Sequence, residues 1–119
     1  PVRVTVIPGL TSLQVLTALH AIPLNEVGAP VTITTGRRLR DGGWPEGATN
    51  VAVMLDGEAS FQSLDPAGIH IWWGAFVGMP DQTLIEGPLA EVATRIADTR
   101  TELRKAHGWV MDIYLLRRA

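Results

Sequence analysis

Cysteine is missing from all 119 residues, which excludes disulfide frameworks, thiolate metal sites and thiol nucleophiles. Charge is sparse as well. Asp, Glu, Lys and Arg make up 18% of the chain, against about 25% in an ordinary globular domain. Neither sign dominates: ten basic and twelve acidic residues leave a net charge of −2. The basic balance of a nucleic-acid-binding surface is therefore lacking. No apolar run approaches the ~18 residues that a membrane span needs, and no signal peptide is visible; a cytoplasmic protein with no membrane or nucleic-acid partner is expected. The histidines, His20, His70 and His107, show no metal-ligand spacing, such as a pair four apart on a helix, so no metal is expected.

Hydrophobic residues, by contrast, reach 46%, with four Trp among them. In a chain the size of one domain, so little charge covers the outside poorly. A large apolar face that meets another domain or subunit is expected, with a tightly packed core as the plainer alternative. The chain opens at Pro1 with a strand already under way and no initiator Met. Either the Met was removed or the residues are a piece of something longer.

The most informative segment is Val6-Ile7-Pro8-Gly9-Leu10-Thr11-Ser12-Leu13-Gln14. A hydrophobic run, Val2 to Ile7, leads into a Pro-Gly turn, and Thr11 and Gln14 stand at capping-box spacing. The expected strand–turn–helix aims backbone N–H groups and a positive dipole end at the space above the strand. That suits a small polar ligand, and equally a well-capped helix with none.

Further along, Ser12 to about His20 reads as a short helix, and Val31 to Thr35 as a second strand. Arg37 to Asn50, with three Arg, several Gly and one Pro, reads as a mobile loop. Strands are expected at Val51 to Leu55 and Ile69 to Phe76, the latter with Trp72 and Trp73 on opposite faces. Residues 58 to 67 are ambiguous, at most one irregular helical turn. A turn at Gly78 to Asp81 and an extended piece at Thr83 to Glu86 come before the longest helix, Pro88 to His107. Its expected apolar stripe is Leu89, Val92, Ile96, Thr99 and Leu103. Gly108 is the stop signal, and Trp109 to Leu116 the last strand. The expected architecture is a single α/β domain over 1–119, a mixed sheet of about five strands flanked by helices.

The opening segment followed by Ala21-Ile22-Pro23-Leu24 resembles the start of the C-terminal domain of the tetrapyrrole (corrin/porphyrin) methylases. Asn50-Val51-Ala52-Val53-Met54 resembles that family's strand ending in Met. Pro80-Asp81-Gln82 and Glu86-Gly87-Pro88-Leu89 resemble its segment before the last long helix. Ile33 to Leu39, Trp72 to Ala75 and Gly108 to Arg118 are similar to the deacetylating members, which methylate precorrin-5. The likeness implies a two-domain enzyme that binds S-adenosylmethionine between its domains. It also implies a homodimer and a tetrapyrrole (precorrin) substrate. The expected reaction moves a methyl group to a ring carbon of precorrin-5 and releases acetate, giving precorrin-6A. The family's N-terminal domain carries a Gly-x-Gly-Pro-Gly loop. This chain has none, so half of the expected site is absent and the isolated chain is expected to be inactive.

The likeness also assigns roles. Thr11 and Ser12 are expected beside the amino-acid or ribose part of the cofactor, and Met54 and Val77 against its adenine. On the residues alone, ordinary core packing is the favoured reading of Met54 and Val77, and the likeness reverses it. Arg37 and Arg38, with Arg40, form a basic cluster whose planar guanidinium groups match the carboxylates of a precorrin; a solvated loop is the plainer reading. Asp112 stands out as a carboxylate in the last strand, either a base for deacylation or the partner of an Arg. Two alternatives stay open. One is another methyltransferase, or a non-catalytic module, of the same fold. The other is a tautomerase using the Pro1 amine as base, although Leu13 to Ile22 lacks the acids and lysines usual there.

Overall fold

The computed structural model describes residues 16–21, 31–54 and 59–118. The expected first strand at Val2 to Ile7, the Pro-Gly turn and the capping box lie outside them. Among the described residues, five strands form one sheet: β1 (Val31–Thr35), β2 (Asn50–Met54), β3 (Ile69–Ala75), β4 (Thr83–Pro88) and β5 (Asp112–Arg118). Their spatial order is β1-β2-β5-β3-β4. β1 and β2 are parallel, whereas β5 runs antiparallel to both β2 and β3, and β4 antiparallel to β3. The carboxyl ends of β1, β2 and β3 therefore share one rim, which Asp112 and Thr83 enter from the opposite direction. The sheet is mixed, as expected.

Alternation builds the two faces. Val51, Val53, Ile71, Trp73, Ala75, Ile85, Tyr114 and Leu116 belong to the larger core cluster on one face. Ala52, Ile113 and Leu115 belong to a smaller one on the other. Trp72 and Trp73 do point to opposite faces. β5 is buried on both because it lies in the middle of the sheet.

The long helix α2 (Leu89–His107) covers the larger face through Leu89, Val92, Ile96 and Arg100. Arg100 departs from the expected stripe. It takes the seam position that Thr99 was expected to hold, because a buried carboxylate waits opposite, while Thr99 and Leu103 are half-buried. Residues 59–67 contain a 3-10 turn, Ser60–Ser63, whose Phe61 is fully buried and meets the Tyr114 ring edge-on at 5.3 Å. On the smaller face the helical residues 16–19 place Leu16, itself fully buried, into the second cluster.

Two boundaries differ most from expectation. The loop expected at Arg37 to Asn50 begins as a helix, α1 (Gly36–Gly42). Thr35 caps it, its hydroxyl accepting from the Arg38 backbone N–H at 3.3 Å, and the Gly43 N–H closes it on Leu39 O. Buried Leu39 anchors it to the core. The stretch after it is a bonded turn, in which Trp44 Nε1 donates to Ala48 O at 2.7 Å. The last strand starts at Asp112 rather than Trp109. Gly108, at φ 79°, ends α2 in the left-handed region, and three residues are then spent returning to the sheet.

Candidate functional site

The rim at the carboxyl ends of β1, β2 and β3 gathers most of the described site candidates. Thr35 ends β1 and pairs with Met54, which ends β2. Met54 is half-buried and packs on the cluster of Leu16, Ala52, Val77, Ile113 and Leu115. Val77, 8% exposed, is itself a member of that cluster. The two residues expected to hold an adenine thus stand on one apolar wall, although they are 23 residues apart in the chain.

Val77 reaches that wall by an unusual path. Phe76 packs in the larger cluster and Val77 in the smaller, so the chain changes faces between them. Phe76 makes the crossing at φ 51°, a left-handed conformation that costs a non-Gly residue roughly 1–2 kcal/mol. Its N–H donates to Met111 O at 2.8 Å, and the rings of His107 and Trp109 lie 5.0 Å from its own. Val77 then folds back over Gly74. A β-carbon at Gly74 would lie 2.6 Å from Val77 Cγ2 and 2.7 Å from Leu16 Cδ1.

Thr11 and Ser12 lie outside the described residues; the nearest described segment, 16–19, packs against this wall through Leu16. Arg37 and Arg38 sit in the first turn of α1, directly after β1 reaches the rim, and both are exposed. Arg37 Nε lies 3.9 Å from Asp41, with side chains 84% and 66% exposed. Such a pair contributes little and leaves the guanidinium available. Arg40 turns away, its Nη1 donating to Ser60 at 3.4 Å. The expected three-Arg cluster is therefore split by the helix.

Asp112 also stands at the rim, but its carboxylate is only 3% exposed. Oδ2 accepts from Trp73 Nε1 at 2.8 Å and from Arg100 Nε at 3.1 Å. Of Asp112's two readings, this geometry is that of the Arg-paired carboxylate. Its partners were legible only in part. Arg100 falls four residues after Ile96, at seam spacing, but its charge argued for the outer face.

The other end of the smaller face has a different chemistry. Arg117 donates to Asn50 and lies over the Trp72 ring at 5.0 Å, and His70 stacks on Trp72 while bonding Glu86. That end satisfies its own polar groups. Beyond it the same face carries the apolar cluster around Leu16, and Ile33 on β1 stays 43% exposed. A small cleft of about 240 Å³ between the 3-10 turn and α2 lies on the opposite face, away from these residues.

Residues 1–93 match the sequence profile of the Tetrapyrrole (Corrin/Porphyrin) Methylases. Precorrin-6A synthase (deacetylating) from Sinorhizobium sp is 54% identical over 113 residues, covering 95% of this chain and 43% of the relative. The crystal structure of a cobalamin synthesis related protein (CobF) from Corynebacterium diphtheriae is similar at a TM-score of 0.85 and 41% identity, over 91% of this chain and 45% of that one. Uroporphyrin-III C-methyl transferase from Thermus thermophilus, solved complexed with S-adenyl homocysteine, shares the fold at a TM-score of 0.54 and 21% identity, over 98% of this chain and 53% of that one. The chain spans about half the length of these relatives, or somewhat less. With its mixed sheet and the matched residues, the chain belongs to the tetrapyrrole (corrin/porphyrin) methylases.

Proposed function

We propose that these residues form the C-terminal wall of an S-adenosylmethionine-dependent C-methyltransferase that converts precorrin-5 to precorrin-6A with release of acetate. A preceding Gly-rich domain supplies the opposite wall. The observation that carries this reading is the convergence of Met54 and Val77 on one apolar surface at the rim, in a chain 54% identical to precorrin-6A synthase. The cofactor, when bound, supplies an electrophilic methyl group on a sulfonium centre.

The residues of this chain have positional tasks. The Met54 thioether and the Val77 side chain offer adenine a polarizable, water-excluding surface. Thr11 and Ser12 hold the polar part of the cofactor. Arg37 and Arg38 meet substrate carboxylates at the mouth. Methyl transfer depends chiefly on aligning donor, methyl and acceptor carbon, so positioning supplies much of the catalysis. The family assignment leaves no place for the proline-tautomerase alternative.

Calorimetric titration with S-adenosylhomocysteine tests the reading. The chain alone is expected to bind weakly or not at all, and the protein with the preceding domain restored to bind with one site per chain. Replacing Met54 by Glu in the restored protein introduces an unpaired carboxylate into the wall and should abolish that binding. Undiminished affinity in a folded M54E protein overturns the assignment.

A further inference from the structure

We infer that Arg100 and Asp112 form a positioning pair that sets where Val77 stands in the cofactor wall. The inference rests on the reading of that wall as a binding surface. Two observations connect the pair to Val77. First, the Asp112 carboxylate ties three elements together at the rim, taking hydrogen bonds from Trp73 on β3 and Arg100 on α2 while itself opening β5. Both ionic side chains are nearly buried, at 10% and 3% exposure. A buried carboxylate is tolerable there because its partners replace water.

Second, the adjacent residue carries the consequence outward. Met111 O accepts the Phe76 N–H at 2.8 Å, and Phe76 is the left-handed residue that swings Val77 onto the opposite face. A strained conformation of this kind persists only when its surroundings enforce it. Asp112 fixes the start of β5, Met111 is thereby fixed, and the turn at Phe76 follows. Val77 lands directly over Gly74, close enough that a β-carbon there would lie 2.6 Å from its Cγ2. Arg100, on the far side of the sheet from the wall, thus acts on the cofactor through a chain of bonded contacts. This also gives a reason for spending an ion pair at a helix–sheet seam that Leu or Met would fill more simply.

The test uses the protein with its preceding domain. Folding is checked by circular dichroism, and all measurements are made at a temperature where each variant is folded. Arg100→Met should raise the dissociation constant for S-adenosylhomocysteine and the KM for S-adenosylmethionine roughly tenfold, with kcat at saturating cofactor changed less than about twofold. Arg100→Lys, which keeps the charge but not the planar fork, should recover part of the loss. Ile96→Ala, one turn away on the same helix and fully buried, should destabilise the fold yet leave cofactor affinity unchanged. If Arg100→Met does not fold, the double variant Arg100→Met with Asp112→Leu takes its place, since replacing both partners leaves no buried charge unpaired. Wild-type affinity in a folded variant of the pair overturns the inference. So does an equal loss in Ile96→Ala, which would make the effect one of general stability. Failure of the unaltered protein to bind S-adenosylhomocysteine instead removes the reading of the wall on which the inference rests.

Discussion

Gly74 is the residue on which the wall is most finely balanced. It lies on β3 between Trp73 and Ala75, and a single added carbon would meet Val77 Cγ2 at 2.6 Å and Leu16 Cδ1 at 2.7 Å. Neither neighbour moves away easily. Val77 is β-branched, with few rotamers to choose from, and Leu16 is completely buried. Backbone strain is not the issue here, because Gly74 sits in regular sheet, paired to Ile113 and Leu84. The effect is overpacking. Gly74→Ala should therefore cost about 1–3 kcal/mol, read as a lower urea midpoint at unchanged slope. A neutral substitution would mean that Leu16 and Val77 pack more loosely against the sheet than the structure places them.

Among the elements, α1 shows how local chemistry can be present in a sequence and still be outweighed. Thr35 precedes Gly36-Arg37-Arg38-Leu39, and Gly43 follows, which is a cap, one buried anchor and a stop. Two turns offer too few positions for periodicity to show, while the surrounding Gly, Pro and Arg suggest a loop. If the Thr35 hydroxyl holds that first turn, Thr35→Ala should cost about 1 kcal/mol and Thr35→Ser far less, measured by thermal or denaturant unfolding. Equal effects of the two would assign the loss to packing of the methyl group instead. The longer elements were plain. β3 alternates Ile69, Ile71 and Trp73 inward, and α2 repeats Leu89, Val92 and Ile96 at helical spacing. The tertiary exceptions were not. Seam spacing alone does not tell a charged Arg100 to point inward, since its reason, Asp112, lies twelve residues away on another element. Phe76 likewise bears no mark of a left-handed residue, because the Met111 carbonyl that holds it comes from a distant loop. Met54 and Val77 were placed by resemblance, and only the fold puts them in one cluster.

At the scale of the whole molecule, the arrangement divides labour between the two sides of the rim. The apolar wall lies on the smaller face, and the exposed guanidinium groups of Arg37 and Arg38 stand where β1 turns into α1. Arg117 and Arg118 lie over the Trp72 and Trp44 rings, Arg100 is committed to Asp112, and Arg40 is turned toward Ser60. Arg37 and Arg38 are exposed in the first turn after β1, next to the rim, the Arg37–Asp41 contact being long and solvated. On the proposed function, a large substrate bearing many carboxylates is paired with these two groups. Their contribution should be electrostatic and additive, roughly 1 kcal/mol for each exposed contact. Arg37→Ala with Arg38→Ala, in the protein with its preceding domain, should accordingly raise KM for the tetrapyrrole by about one order of magnitude at low salt. The difference from wild type should shrink as ionic strength rises and the Debye length contracts below about 10 Å. Affinity for S-adenosylhomocysteine should stay as it was, because neither side chain belongs to the cluster around Met54 and Val77. Steady-state kinetics across a salt series separate the outcomes. A salt-independent loss would point to disrupted packing of α1, and unchanged KM at every salt concentration would take both arginines out of the substrate path.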